Sequence, residues 1–283
     1  MRISNVVDGP KVDCHVHLFD PERFPYAPDT FYRPAGGEIA TVHQLEALHD
    51  AHDVRHALLV GPNSGYFLDN RCMLDALAYG KGRFKGMAVV RNDASRDELQ
   101  ELQAKGVIGV ACQVALLGVD FYRNLAPLLQ RLRELDMWAQ FQVEGDQLVE
   151  LRAMLVDSGV KLLFDHCGRP FPEYGTNQPG FAALLGLADS GRAFVKLSSL
   201  TKSSKRPYPH QDAWPFVHEL LRAFTPSSLV WASDWPFLRA PARIDYGPLL
   251  TLTQRLVPDE ASLRQILWDT PTRLFWGNSV TLT

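Results

Sequence analysis

Hydrophobic and polar positions along this chain alternate between two rhythms. Short apolar runs rich in β-branched and aromatic residues read as buried strands. After each comes a longer stretch whose apolar positions recur every three or four residues, the pattern of an amphipathic helix. The runs begin with Val12–His17 (VDCHVH) and continue at Val54–Val60, Phe84–Val90, Val107–Gln113, Met137–Val143, Val160–Asp165, Arg192–Ser198 and Leu229–Ser233. Between them, Thr41 caps a helix to about Asp53, a second covers Asp69–Tyr79, and Ser95 caps a third over Arg96–Lys105 that Gly106 stops. Further helices are predicted over Asn124–Leu135, from an Asp146 cap to Ser158, over Pro179–Ser190, and up to Phe224. Two more follow the last strand, the final one spanning Asp259–Phe275.

A strand followed by a helix eight times, with no shift in composition, predicts a (β/α)8 TIM barrel. It would form one domain over residues 1–283, closed by the C-terminal helix. A doubly wound open sheet would want a glycine-rich phosphate loop after the first strand, where a histidine pair stands instead. Two connections are long. Residues 19–37 carry Phe24, Tyr26, Phe31 and Tyr32, which predict a lid packed over something, and a second Pro/Ser/Lys-rich loop spans Ser199–Pro209.

Composition narrows the partners. Net charge is −3 and the pI about 6.3, which gives no electrostatic reason to expect nucleic acid or an anionic membrane. No apolar run is long enough to span a membrane and the N-terminus shows no signal-peptide core. Four scattered cysteines without a Cys-x-x-Cys pair fit a reducing cytoplasm. Cys14 and Cys167 adjoin histidines but, with adjacent strand residues facing opposite ways, read as buried fillers. His49, His52 and His56 read as a solvated helix end, where histidine suits the dipole.

In such a barrel the active site lies at the C-terminal strand ends. On a strand His15 and His17 share a face. The other tips carry Ser64, Arg91, Gln113, Gln142, His166 with Arg169, Lys202 and Asp234. Three imidazoles and a carboxylate in one basin predict hydrolysis: Asp234 takes a proton from water while His15, His17 and His166 polarise a carbonyl or hold a metal. As a mononuclear centre, His15, His17, His166 and Asp234 would suffice for one zinc, since three protein ligands and an open position are enough.

The blocks DCHVH, SGYFLDN, DHCGRP, VKLS and WASDWP, with the tail ILWDTPTRLFW, resemble the amidohydrolase superfamily, and within it the lactonase branch of the 2-pyrone-4,6-dicarboxylate type. The resemblance spans nearly the whole chain. It implies hydrolysis of a small lactone, the cyclic ester of an organic or sugar acid, with Asp234 as general base and the three histidines on the carbonyl. It also implies substrate contacts from Tyr32, Ser64 and Arg169. Departures from the branch alter the expected substrate. Ala111 stands where an arginine grips a carboxylate, Lys202 replaces another arginine, and Tyr66 and Phe237 replace histidines. With one cation missing, a substrate with one carboxylate or none is expected, held by Arg169, Lys202 and, as a third cation, Arg91.

Superfamily members with two metals use a bridging lysine or glutamate on strand four and a histidine on strand five. Gln113 and Gln142 stand at those tips, so no binuclear centre is expected. The resemblance favours a metal-free lactonase. The alternative is a metal-dependent decarboxylase or amide hydrolase of the same superfamily holding one divalent ion. A non-catalytic ligand-binding barrel would have no use for Asp234 as a base.

Overall fold

The computed structural model describes residues 8–277. Its strands are β1 (Lys11–Val16), β2 (Val54–Val60), β3 (Phe84–Ala88), β4 (Val107–Cys112), β5 (Trp138–Phe141), β6 (Lys161–Phe164), β7 (Ala193–Leu197) and β8 (Leu229–Trp231). Each pairs in parallel with the next, in unbroken chain order. Just past β8 the ring closes: Asp234 donates its N–H to the His15 carbonyl at 3.0 Å, and His17 donates to the Trp235 carbonyl at 2.9 Å. The expected (β/α)8 barrel is therefore present, and a doubly wound sheet, whose strand order would reverse, is excluded.

The strands are buried on both faces, which is why they read as nearly continuous apolar runs. Inside the barrel, Val12, Leu58, Met87, Trp138, Leu163, Phe194 and Val230 pack together. Outward-facing Leu59, Val110, Phe141, Phe164, Val195 and Trp231 join the layer beneath the helices. Those helices are α1 (Val42–Ala51), α2 (Arg71–Gly80), α3 (Arg96–Ala104), α4 (Val114–Leu117), α5 (Ala126–Glu134) and α6 (Gln147–Ser158), then α7 (Pro179–Leu185), α8 (Leu200–Ser203), α9 (Trp214–Phe224), α10 (Tyr246–Leu256), α11 (Glu260–Arg264) and α12 (Thr270–Phe275). Helix α9 shows the logic: Phe216, Val217, Leu220 and Phe224 recur on one face and are buried. Thr41 starts α1 through a reciprocal capping box with Gln44, a device of about 1 kcal/mol.

Several expectations need correction. Asp146 does not cap α6; its carboxylate accepts the Gly180 N–H at 2.8 Å and ties α6 to α7 instead. The helix expected from Asn124 begins at Ala126, after a separate short α4. The helix expected over Pro179–Ser190 ends at Leu185, and the final helix is broken into α11, a π-type turn at Gln265–Asp269, and α12. That broken segment brings Trp268 and Phe275 against the inner cluster, sealing the end of the barrel away from the strand tips. His49 is no solvated residue: it is fully buried, with Nε2 3.6 Å from Asp13 Oδ2. Burial against β1 overrode the dipole argument.

One irregularity in β1 matters to the site. Asp13 lies opposite Ala57 but Val16 lies opposite Leu59, three steps against two. The extra residue breaks strict alternation. Asp13 faces out and accepts the Tyr246 hydroxyl at 2.8 Å, while Cys14 and His15 both turn into the barrel. The expectation that Cys14 and His15 face opposite ways is corrected, though Cys14 and Cys167 are buried fillers as expected.

Candidate active site

At the strand-tip end, three imidazoles close around one carboxylate oxygen. Asp234 Oδ1 lies 3.7 Å from His15 Nε2, 3.6 Å from His17 Nε2 and 3.9 Å from His166 Nε2. The His15 and His17 Nε2 atoms are 3.2 Å apart. All four residues are buried. Their approach follows from the barrel seam, since the two backbone bonds that close the ring join His15 to Asp234 and His17 to Trp235.

Each ring is held from behind. His17 Nδ1 lies 2.8 Å from the Val60 carbonyl, which can only accept, so the neutral ring carries its proton there and leaves Nε2 as a lone pair. His166 Nδ1 meets Ser198 Oγ at 2.9 Å. His15 Nδ1 faces both Asp165 Oδ1 at 3.2 Å and Lys196 Nζ at 3.1 Å. The Ser199 hydroxyl donates to Asp234 Oδ2. His166, Arg169, Ser199 and Asp234 all take positive φ, between 47° and 64°. Backbone held in that sparsely populated region clusters at functional sites, where packing over-determines it.

Electrostatics set the imidazoles apart from the carboxylate. Burial alone would raise the Asp234 carboxyl, but His166, the His17 hydrogen bond, His15 and Lys202 together hold it well below the usual carboxylate range. Burial pushes His166 down to about 3, with His15 and Arg169 adding to it against Asp234. His15 is lowered too, by burial and by Lys196. At neutral pH these two rings are neutral and Asp234 is ionised. A lowered imidazole stays neutral as pH falls past its ordinary value of 6.5. His15 and His166 are therefore expected to stay neutral through pH 6 and to protonate only well below it. A ¹⁵N NMR titration of their rings checks this, and a step centred near 6.5 at either ring would contradict it.

The cluster opens on a cavity of about 820 Å³, mouth included, lined by Ser64, Arg169, Lys202 and Asp234 among others. Arg169 is paired with Glu144 at 3.0 Å, and Lys202 donates to the Leu238 carbonyl at 2.6 Å. Arg239, absent from the sequence-based candidates, adds a cation to the wall; Phe31 and Leu116 add apolar surface. Two candidates lie elsewhere. The Tyr32 hydroxyl donates to Glu38 at 2.5 Å, and its neighbour Phe31 reaches the cavity instead. Arg91 is 72% exposed and bound to Asp93 at 3.0 Å, because β3 ends at Ala88 and the chain leaves the mouth before reaching it. The lid over residues 19–37 is stitched down at Gly65, whose N–H donates to Thr30 Oγ1 at 2.8 Å.

The donor set suits one divalent ion. Ligands about 2.0–2.1 Å from a tetrahedral zinc lie about 3.3 Å from one another, and the His15, His17 and Asp234 atoms are 3.2, 3.6 and 3.7 Å apart. The other candidate group, His15, Asp165 and His166, already faces the Lys196 ammonium, 3.0 Å from Asp165 Oδ1. A second cation there would meet a fixed positive charge.

A family model described as amidohydrolase matches residues 12–276. The chain belongs to the amidohydrolase family. Among curated relatives, the 4-sulfomuconolactone hydrolase of Rhizobium radiobacter is 30% identical over 273 residues, covering 93% of this amidohydrolase and 89% of that protein. The 2-pyrone-4,6-dicarboxylate hydrolase of Comamonas testosteroni is 28% identical, covering 95% and 91%. A crystal structure from Acinetobacter baumannii, described as a probable 2-pyrone-4,6-dicarboxylic acid hydrolase with citric acid bound, superposes with a TM-score of 0.86 at 25% identity. It covers 94% of this chain and 99% of that one.

Sequence reasoning missed a polar layer one step below the mouth. Lys196, Gln140 and Asp165 are 0–2% exposed and bonded to one another beneath His15. The signal was available: a lysine inside the apolar run AFVKL and a glutamine inside WAQF do not belong in a doubly buried strand without partners.

Proposed function

We propose that this amidohydrolase opens a small lactone carrying one carboxylate, by attack of a water that Asp234 deprotonates. The observation that carries the reading is an ionised carboxylate ringed by three imidazoles, two of which line a cavity with cations in its wall. Its relatives act on lactones of organic acids. Water held against Asp234 Oδ1 loses its proton to that oxygen as its own oxygen bonds the lactone carbonyl carbon. An imidazole N–H stabilises the charge that develops on the carbonyl oxygen. The ring C–O bond then breaks, and the proton held by Asp234 returns to the leaving ring oxygen, giving a hydroxy acid. A divalent ion held by His15, His17 and Asp234 would act as a Lewis acid on the same carbonyl; we favour the metal-free reading, which the resemblance to the lactonase branch implies.

Arg169 pairs with Glu144, so Lys202 and Arg239 are the cations in excess, which fits one carboxylate rather than two. Ser64 and Arg169 complete the polar contacts. Tyr32 and Arg91 are dropped from the proposed contacts, since Tyr32 is bonded to Glu38 and Arg91 lies exposed against Asp93 away from the mouth. Replacing Arg169 by Met is expected to raise KM by about tenfold or more, the value of a charge-assisted hydrogen bond, with kcat changed less. Steady-state kinetics on an accepted lactone test it; an unchanged KM for every accepted substrate would remove Arg169 from the binding role.

A further inference from the structure

We infer that Lys196, buried midway along β7, fixes the tautomer of His15 and so makes His15 Nε2–H the donor that meets the substrate's carbonyl oxygen. Lys196 is a positioning residue here; its consequence for turnover rests on the lactone-opening reading, its geometry does not.

Two independent requirements converge on one placement of the His15 proton. The first comes from below. A lysine ammonium has three N–H donors and no acceptor. Lys196 is 0% exposed, so those donors must be satisfied within the protein. Three acceptors surround Nζ: Gln140 Oε1 at 2.8 Å, Asp165 Oδ1 at 3.0 Å and His15 Nδ1 at 3.1 Å. The third proton is accepted only if His15 Nδ1 is a lone pair. Asp165 does not need the His15 proton, because Gln140 Nε2 donates to its other oxygen at 2.9 Å and Lys196 donates to the first.

The second requirement comes from above. With its Nδ1–H donated to the Val60 carbonyl, the neutral form of His17 has an Nε2 lone pair in need of a donor. His15 Nε2 faces it at 3.2 Å. With the proton on His15 Nε2, the chain Lys196, His15, His17, Val60 runs donor to acceptor without a break. With the proton on Nδ1, Asp165 Oδ1 would accept it at 3.2 Å, but Lys196 loses an acceptor and two lone pairs oppose each other across the site. His15 does not itself line the cavity but bonds His17, which does; a lactone carbonyl oxygen that displaces His17 Nε2 accepts the same N–H, while the His17 lone pair is left beside Asp234 to receive a hydrogen bond from the attacking water. The three histidines are thus unequal, His15 donating and His17 accepting.

The test is ¹⁵N NMR of protein labelled in its histidine rings and dialysed against chelator, the His15 signals being identified by their loss in His15→Asn. The wild type is expected to show His15 Nε2 bearing the proton and Nδ1 bare. In Lys196→Met the proton is expected to move to Nδ1, toward Asp165. On an accepted lactone, kcat should then fall about a hundredfold with KM little changed, as for loss of an oxyanion donor. A wild-type His15 protonated at Nδ1, in a neutral or a charged ring, would overturn the inference, as would a tautomer that Lys196→Met leaves unchanged. Should Lys196→Met fail to fold, the wild-type spectrum decides alone. The spectra need no substrate, so a chain that opened no lactone would defeat the functional reading and leave this one standing.

Discussion

Asp234→Asn is expected to lower kcat by about a hundredfold or more while the fold and lactone binding survive. Asparagine keeps the side chain's shape, and its amide oxygen can still accept from Ser199. It cannot take the proton of water, and it removes the negative charge that three imidazoles share at 3.6–3.9 Å. The kinetic signature should be a fall in kcat with KM close to wild type, since the role proposed for Asp234 is on water rather than on the substrate's carboxylate. A variant that kept a tenth of the wild-type rate would take the base role away from Asp234. Circular dichroism on the same sample separates lost chemistry from lost structure.

The second large effect is on stability. Asp165→Ala is expected to destabilise the fold by about 3–5 kcal/mol, because it leaves the buried Lys196 ammonium without its counter-charge. Burial alone would raise the Asp165 carboxyl, yet Lys196 and His15 hold it below the usual range; burial lowers the Lys196 ammonium, and Asp165 works against that. The shift carries a sign. A carboxyl lowered by folding contributes stability above its unfolded value near 4, and that contribution is lost as pH falls below it. Removing both charges together, as Lys196→Met with Asp165→Leu, should recover much of the loss. Urea denaturation midpoints read both variants; an Asp165→Ala midpoint equal to wild type would show that the pair does not hold the barrel's polar layer.

The barrel was legible in the sequence because its signal is local. Strand runs such as VRHALLV and helices such as WPFVHELLRAF carry their periodicity within a few residues, and eight repeats of the pair admit few topologies. The four residues at the mouth were legible for a related reason: each stands at or just past a strand end, where the fold places function. What escaped was set by long-range geometry. The one-residue bulge in β1 turns Cys14 and His15 the same way, and only its pairing with β2 reveals it. Arg91 sits at the end of an apolar run, but its strand ends three residues earlier, so the side chain leaves the mouth. Tyr32 and Phe31 are adjacent in a lid without periodicity, and a single turn of backbone decides which one reaches the cavity. His49 followed the surface rule for helix ends until the buried Asp13 and Tyr246 enclosed it.

The central claim is that this site opens a lactone with its own Asp234 and histidines. Proton release from a panel of lactones, some with one carboxylate and some with none or two, tests it on protein dialysed against chelator. The account predicts saturable turnover that favours one carboxylate, is unchanged by chelation, and falls when added zinc occupies the histidines. Activity lost on chelation and restored by one equivalent of zinc would contradict the metal-free mechanism, and a panel with no lactone opened at all would contradict the claim itself.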